Sequence, residues 1–81
     1  MADAYLNGEF IELSEARISP LDRGFLFGDG VYEVIPVYNC CPFQLTFYLQ
    51  RLENSQKAIH LAPPLSSDEW RAIIMRLIEK N

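Results

Sequence analysis

The chain has 81 residues, 49% of them apolar, with 7 basic and 11 acidic side chains and a formal net charge of -4. That length allows one small domain over residues 1–81, and so apolar a chain is no disordered tail. The scattered acidic balance argues against a nucleic-acid backbone as partner, no apolar run approaches a membrane span, and Met1-Ala2-Asp3-Ala4 lacks the basic-then-apolar pattern of a secretory signal.

Tyr5-Leu6-Asn7-Gly8-Glu9-Phe10-Ile11 predicts a hairpin, because Asn-Gly supplies the two positive-φ residues of a tight type I′ turn. Ser19-Pro20-Leu21-Asp22-Arg23-Gly24 predicts a turn or a single helical turn. Pro20 presets φ there, and Gly24 is the expected left-handed exit. Gly28-Asp29-Gly30 lacks the further glycine or the Gly-Lys-Ser/Thr of a phosphate loop, so its plain role is a sharp backbone turn.

Gly30 to Tyr38 is rich in Val, Ile and Tyr and predicts a strand. Val31, Glu33, Ile35 and Val37 would share one face, and Tyr32, Val34, Pro36 and Tyr38 the other. Pro36 donates no ladder hydrogen bond and marks an edge or a bulge. Asn39 to Pro42 would turn the chain into a short strand, Phe43 to Leu45. The adjacent Cys40 and Cys41 cannot staple distant segments and are expected to be reduced thiols in a cytoplasmic turn.

A helix is expected from about Thr46 to His60, with its apolar stripe through Tyr48, Leu52, Ser55 and Ile59. Ala62-Pro63-Pro64 breaks the chain. Ser66 then caps a second helix, Glu69 completes a capping box, and Leu65 and Trp70 occupy the two staple positions. Trp70, Ile73, Ile74, Leu77 and Ile78 form its apolar face. The pattern is α+β: a small antiparallel sheet first, two helices after.

Few residues suggest chemistry. Arg51 falls roughly 60° from the centre of the first helix's stripe and is the one full charge on that half of the helix. Either its stem lies over the core edge and its head reaches water, or its guanidinium enters a site and grips a phosphate or carboxylate with two prongs. Tyr32 is either a core tyrosine with a satisfied hydroxyl or a phenol donating to a substrate oxygen in a cleft. Glu33, costly to bury unpaired, either reaches solvent at an edge or pairs with a downstream arginine. The lone His60 has no partner for a metal cluster or a nucleophilic triad, and Asp22 and Asp29 have no acid–base spacing.

The run Asp22-Arg23-Gly24-Phe25-Leu26-Phe27-Gly28-Asp29-Gly30-Val31-Tyr32-Glu33-Val34, preceded by Tyr5-Leu6-Asn7-Gly8 and followed by Leu49-Gln50-Arg51-Leu52 with Ser55, resembles the class IV pyridoxal-phosphate aminotransferases. The resemblance covers about Ala4 to His60 and is nearest to the D-amino-acid branch, because the branched-chain branch more often has Phe-Glu-Gly where this chain has Tyr32-Glu33-Val34. It implies the small N-terminal domain of such an enzyme, with the large cofactor domain absent from this chain. It implies pyridoxal phosphate as cofactor, Arg51 as the residue that binds the cofactor phosphate, and Tyr32 as a substrate-binding residue for the amino-acid carboxylate. It further implies amino-acid and 2-oxo-acid substrates, a cytoplasmic homodimer, and a site between small and large domains. Aminodeoxychorismate lyase and the branched-chain aminotransferases share the family. A self-associating, non-catalytic fragment is the reading of a different class.

Two features depart from the family's pattern. Tyr48 stands where histidine is frequent, three positions before the arginine. The chain's two lysines, Lys57 and Lys80, lie on a polar helix side and near the last residue. Neither is expected to form the Schiff base, so no catalytic residue is assigned and the chain is expected to be an inactive fragment.

Overall fold

A computed structural model describes residues 2–81. The elements, in chain order, are β1 (Asp3–Leu6), β2 (Glu9–Glu12), a 3-10 turn at Leu13–Glu15, α1 (Arg23–Phe27), β3 (Val37–Tyr38), β4 (Cys41–Pro42), α2 (Leu45–Ala58) and α3 (Ser67–Lys80). The class is α+β, with two separate two-stranded antiparallel ribbons and three helices in place of one sheet and two helices.

The first ribbon forms as its sequence dictates. Asn7 and Gly8 take φ of 49° and 90°, which closes the two-residue turn and pairs Leu6 with Glu9 and Tyr5 with Phe10. The Tyr5 and Phe10 rings meet edge to face at 5.1 Å. One helix packs over this ribbon: α3 rests on β1 with Trp70, Ile73, Ile74, Leu77 and Ile78 all partly covered. The Ser66 hydroxyl accepts from Glu69 N at 3.2 Å and the Glu69 carboxylate accepts from Ser66 N at 2.9 Å, completing the capping box. Arg76 and Lys80 hold their cations 5.3 and 5.6 Å from the Phe10 ring centre.

Three expected boundaries move, each for a local backbone reason. The left-handed exit belongs to Gly28 (φ 68°), while Gly24 sits inside α1, which the Asp22 carboxylate caps through Gly24 N at 2.9 Å. The expected strand from Gly30 to Tyr38 is paired only at Val37–Tyr38. Pro36 has no N–H to donate, and its carbonyl accepts from Phe43 N at 2.8 Å at the end of the ribbon. The turn is correspondingly tighter: Asn39 and Cys40 both take positive φ, so Cys41–Pro42 is the returning strand and Phe43–Leu45 is not one. Both cysteines are free and exposed.

Helix α2 starts one residue early, at Leu45, behind a left-handed Gln44, and stops at Ala58. His60, expected inside the helix, instead takes φ 58°. His60 N donates to Lys57 O at 3.1 Å and Leu61 N to Gln56 O at 2.8 Å, the paired bonds of a Schellman ending. The buried residues of α2 are Leu45, Leu49 and Gln56, with Leu52 partly covered. At 100° per residue that stripe is turned about 60° from the expected line through Tyr48, Leu52, Ser55 and Ile59. Among the described residues only Leu45 and Leu49, 8% and 5% exposed, are buried hydrophobics.

Candidate functional site

The rotation of α2 changes what Arg51 is. With the stripe through Leu45, Leu49, Leu52 and Gln56 buried, Arg51 stands about 130° away from it, on the opposite side of the helix. The expectation that it lies on the inward half is corrected. The segment after Gly30 covers that outer side. Although unpaired, it keeps a strand's alternation: Val31, Glu33 and Ile35 are partly covered, whereas Tyr32 and Val34 are exposed.

Glu33 and Arg51 meet there as an ion pair. Arg51 Nε donates to Glu33 Oε2 at 2.9 Å, and Arg51 Nη2 donates to Oε1. Oε1 also accepts from Val34 N at 3.2 Å. The Glu33 side chain is 8% exposed and that of Arg51 is 54% exposed. The carboxylate is therefore fixed under cover while its partner reaches solvent. Of the two sequence readings of Glu33, the structure takes the pairing one.

Aromatic side chains lie beside the guanidinium. Its central carbon lies 5.0 Å from the Tyr48 ring centre and 5.8 Å from that of Phe47. The two rings are themselves edge to face at 5.3 Å. Both distances suit a cation over a π face. Tyr48 thus supplies a ring where a histidine-centred network would have needed hydrogen bonds.

The charges respond to one another. The hydrogen bond from Arg51 holds the Glu33 carboxyl below the usual carboxylate range, with smaller help from Val34 N and from Coulomb attraction to Arg51. The reciprocal bond to Glu33 raises the Arg51 pKa, with Tyr48 and Tyr32 as minor contributors. Tyr32 is exposed on the same segment, next to Glu33. Its ring is 86% exposed, which removes the core-tyrosine reading.

The remaining candidates lie elsewhere. Asp22, Arg23, Asp29 and His60 line a separate cleft beside α1. Arg23 Nε and Nη2 both donate to Asp29 Oδ2, at 2.9 and 2.6 Å, so that cleft's charges are largely self-paired. Lys57 faces Glu53 at 3.4 Å on the exposed side of α2. Among the described residues no three side chains of metal-ligand type cluster, and no helix is long and apolar enough to cross a membrane.

The Arg51 guanidinium suits a phosphate. It is charged, half-exposed, held by two hydrogen bonds to Glu33, and has donors beyond those two. Neither lysine suits covalent attachment of a carbonyl cofactor, because one is paired with Glu53 and the other lies over Phe10. Sequence reasoning did not find the roles of Phe47 and Tyr48 beside the arginine. Their spacing of four and three positions from Arg51 was the available signal.

The family model for amino-transferase class IV matches residues 30–81, which include Tyr32, Glu33 and Arg51. The chain is 41% identical over 81 residues to a D-alanine aminotransferase of Staphylococcus aureus (strain N315), covering 100% of this chain and 29% of that protein. It is 36% identical over 77 residues to an aminodeoxychorismate lyase of Bacillus subtilis (strain 168), covering 95% and 26%. It is 35% identical over 77 residues to a putative branched-chain-amino-acid aminotransferase of Methanocaldococcus jannaschii, covering 95% and 27%. The chain thus spans less than a third of the length of these relatives.

Proposed function

The chain belongs to the amino-transferase class IV family, and from that premise we propose that it is the N-terminal portion of a pyridoxal-phosphate enzyme that moves an amino group from a D-amino acid to a 2-oxo acid. Pyridoxal phosphate, when bound, supplies the electron sink for charge developing at the substrate α-carbon. The part of this chain is binding and orientation. Arg51 grips the cofactor phosphate, and Tyr32 directs its phenol to the substrate carboxylate.

One observation supports this reading above the others: a half-exposed guanidinium, fixed by Glu33 and by two rings, with unused donors toward solvent. Such a group is preorganised for an anion, so little side-chain freedom is lost on binding. The lysine that attaches the cofactor and carries the proton belongs, in this proposal, to a second and larger domain. The 81 residues alone then have no turnover, and the complete protein works as a cytoplasmic homodimer.

The D-amino-acid assignment rests on Gly30-Val31-Tyr32-Glu33-Val34 and on the 41% identity to a D-alanine aminotransferase. The test is turnover by the whole protein. D-alanine and 2-oxoglutarate should give pyruvate and glutamate. Consumption of aminodeoxychorismate with no amino transfer from D-alanine would move the protein to the lyase branch.

A further inference from the structure

An arginine that already holds a carboxylate has two ways to receive a second anion. The newcomer displaces the carboxylate, or it takes the donors left over. The guanidinium carries five N–H donors: one on Nε, two on Nη1 and two on Nη2. Glu33 engages the Nε proton and one Nη2 proton, along one edge of the plane. Three donors remain, both on Nη1 and one on Nη2; one from each Nη forms the outer end of the fork.

We propose that Glu33 is a positioning residue that divides Arg51 between two anions, keeping the Nε–Nη2 edge for its own carboxylate and presenting the Nη1–Nη2 end to a phosphate. The inference rests on the reading of Arg51 as a phosphate-binding residue, and it adds which edge is used and what holds it there.

Three features make the carboxylate the fixed member. Glu33 lies under cover while Arg51 reaches solvent. Its Oε1 is held a second time by Val34 N. It shares the covered face of its segment with Val31 and Ile35, so swinging it out would uncover that face. The Tyr48 and Phe47 rings lie beside the guanidinium, with its central carbon 5.0 and 5.8 Å from their centres. A depressed Glu33 pKa is consistent with a carboxylate that stays ionised beside its partner.

Charge alone predicts the opposite consequence. Removing a carboxylate next to a cation should strengthen the binding of any other anion. Removing a device that aims the cation should weaken it. The sign of the change at Glu33 therefore separates positioning from simple competition.

The whole protein, free of cofactor and labelled with 15N at arginine, would be titrated with inorganic phosphate and, separately, with pyridoxal phosphate, following the side-chain N–H signals of Arg51. Arg51→Lys assigns those signals. The expected result is saturable movement of the Arg51 Nη signals while the Nε signal keeps its hydrogen-bonded position. In Glu33→Gln the Nε signal loses that position, and phosphate binding weakens about tenfold, the order seen when an outer partner that orients a binding group is removed. Movement of the Nε signal on phosphate addition, to where it stands in Glu33→Gln, shows displacement and overturns the division of edges while leaving Arg51 as the phosphate residue. Tighter phosphate binding by Glu33→Gln overturns it equally. No Nη response to either anion removes the phosphate reading and this inference together. The titration of the unsubstituted protein decides the matter even where Glu33→Gln fails to fold.

Discussion

Asn81 and Asp3, 78 positions apart, are joined through one side-chain amide: Asp3 N donates to Asn81 Oδ1 at 2.9 Å, and Asn81 Nδ2 donates to Asp3 O at 3.2 Å. The amide satisfies both main-chain groups of the first residue of β1, and Nδ2 also reaches Leu77 O at 2.9 Å in the last turn of α3. The same contact locks the helix to the hairpin and so sets the frame behind α2. Asn81→Ala should lower stability by about 1 kcal/mol, the net worth of an exposed hydrogen-bonded contact of this kind. Urea unfolding checks it, and Asn81→Asp should recover only the bond from Asp3 N.

Acid should loosen the molecule through two named carboxylates. Glu33 and Glu69 both have pKa values below their ordinary 4.5, the first chiefly from its bond with Arg51 and the second chiefly from Ser66 N. A carboxylate depressed in the folded state stabilises the fold above its unfolded pKa, and that stabilisation disappears as pH falls through the folded value. The urea midpoint should therefore be flat from pH 7 to about pH 5 and decline below it. Glu33→Gln and Glu69→Gln should each flatten the decline, and a midpoint rising toward low pH would contradict both assignments.

The core has little redundancy. Leu49 is 5% exposed and faces the cleft where α2 meets the start of α3 beside Trp70. Leu49→Ala should cost about 2–5 kcal/mol, the usual range for a buried leucine. A small domain with a total of this order would lose its cooperative transition. Circular dichroism melts at matched concentration measure it, and a cooperative melt within a few degrees of the parent would contradict the placement of the core.

The surface around α1 is unusually apolar. Leu21 is 78% exposed and Phe25 75%, with Ile18 and Phe27 beside them also exposed. Several exposed large apolar side chains close in sequence favour association. Sedimentation of the 81-residue chain should show a mass that rises with concentration, and Leu21→Ser with Phe25→Ser should lower it. A concentration-independent monomer at high loading would contradict the expectation.

Local rules carried much of the fold. Asn7-Gly8 announced the first turn, Ser66 with Glu69 announced α3, and the apolar spacing from Trp70 to Ile78 announced the face that it covers. The misplaced boundaries fall at residues whose backbone choice is unusual for their type. Gln44, Cys40 and His60 all take positive φ, which side-chain identity does not advertise. The rotation of α2 was hidden because Gln56, a polar residue, occupies a buried position while Ile59 remains exposed. At the site, the pairing of Glu33 with Arg51 was readable as an option because a covered carboxylate needs a cation. The side of α2 that Arg51 occupies was not, because it depends on which face the segment after Gly30 covers.

The central claim is that Arg51 receives a phosphate, and the most direct measurement is a structure of the whole protein crystallised with pyridoxal phosphate. The account predicts the cofactor's phosphate oxygens at hydrogen-bond distance, about 3 Å, from Arg51 Nη1 and Nη2, with Glu33 still on Nε. A phosphate bound only by other residues, with the Arg51 guanidinium left in solvent, would contradict it.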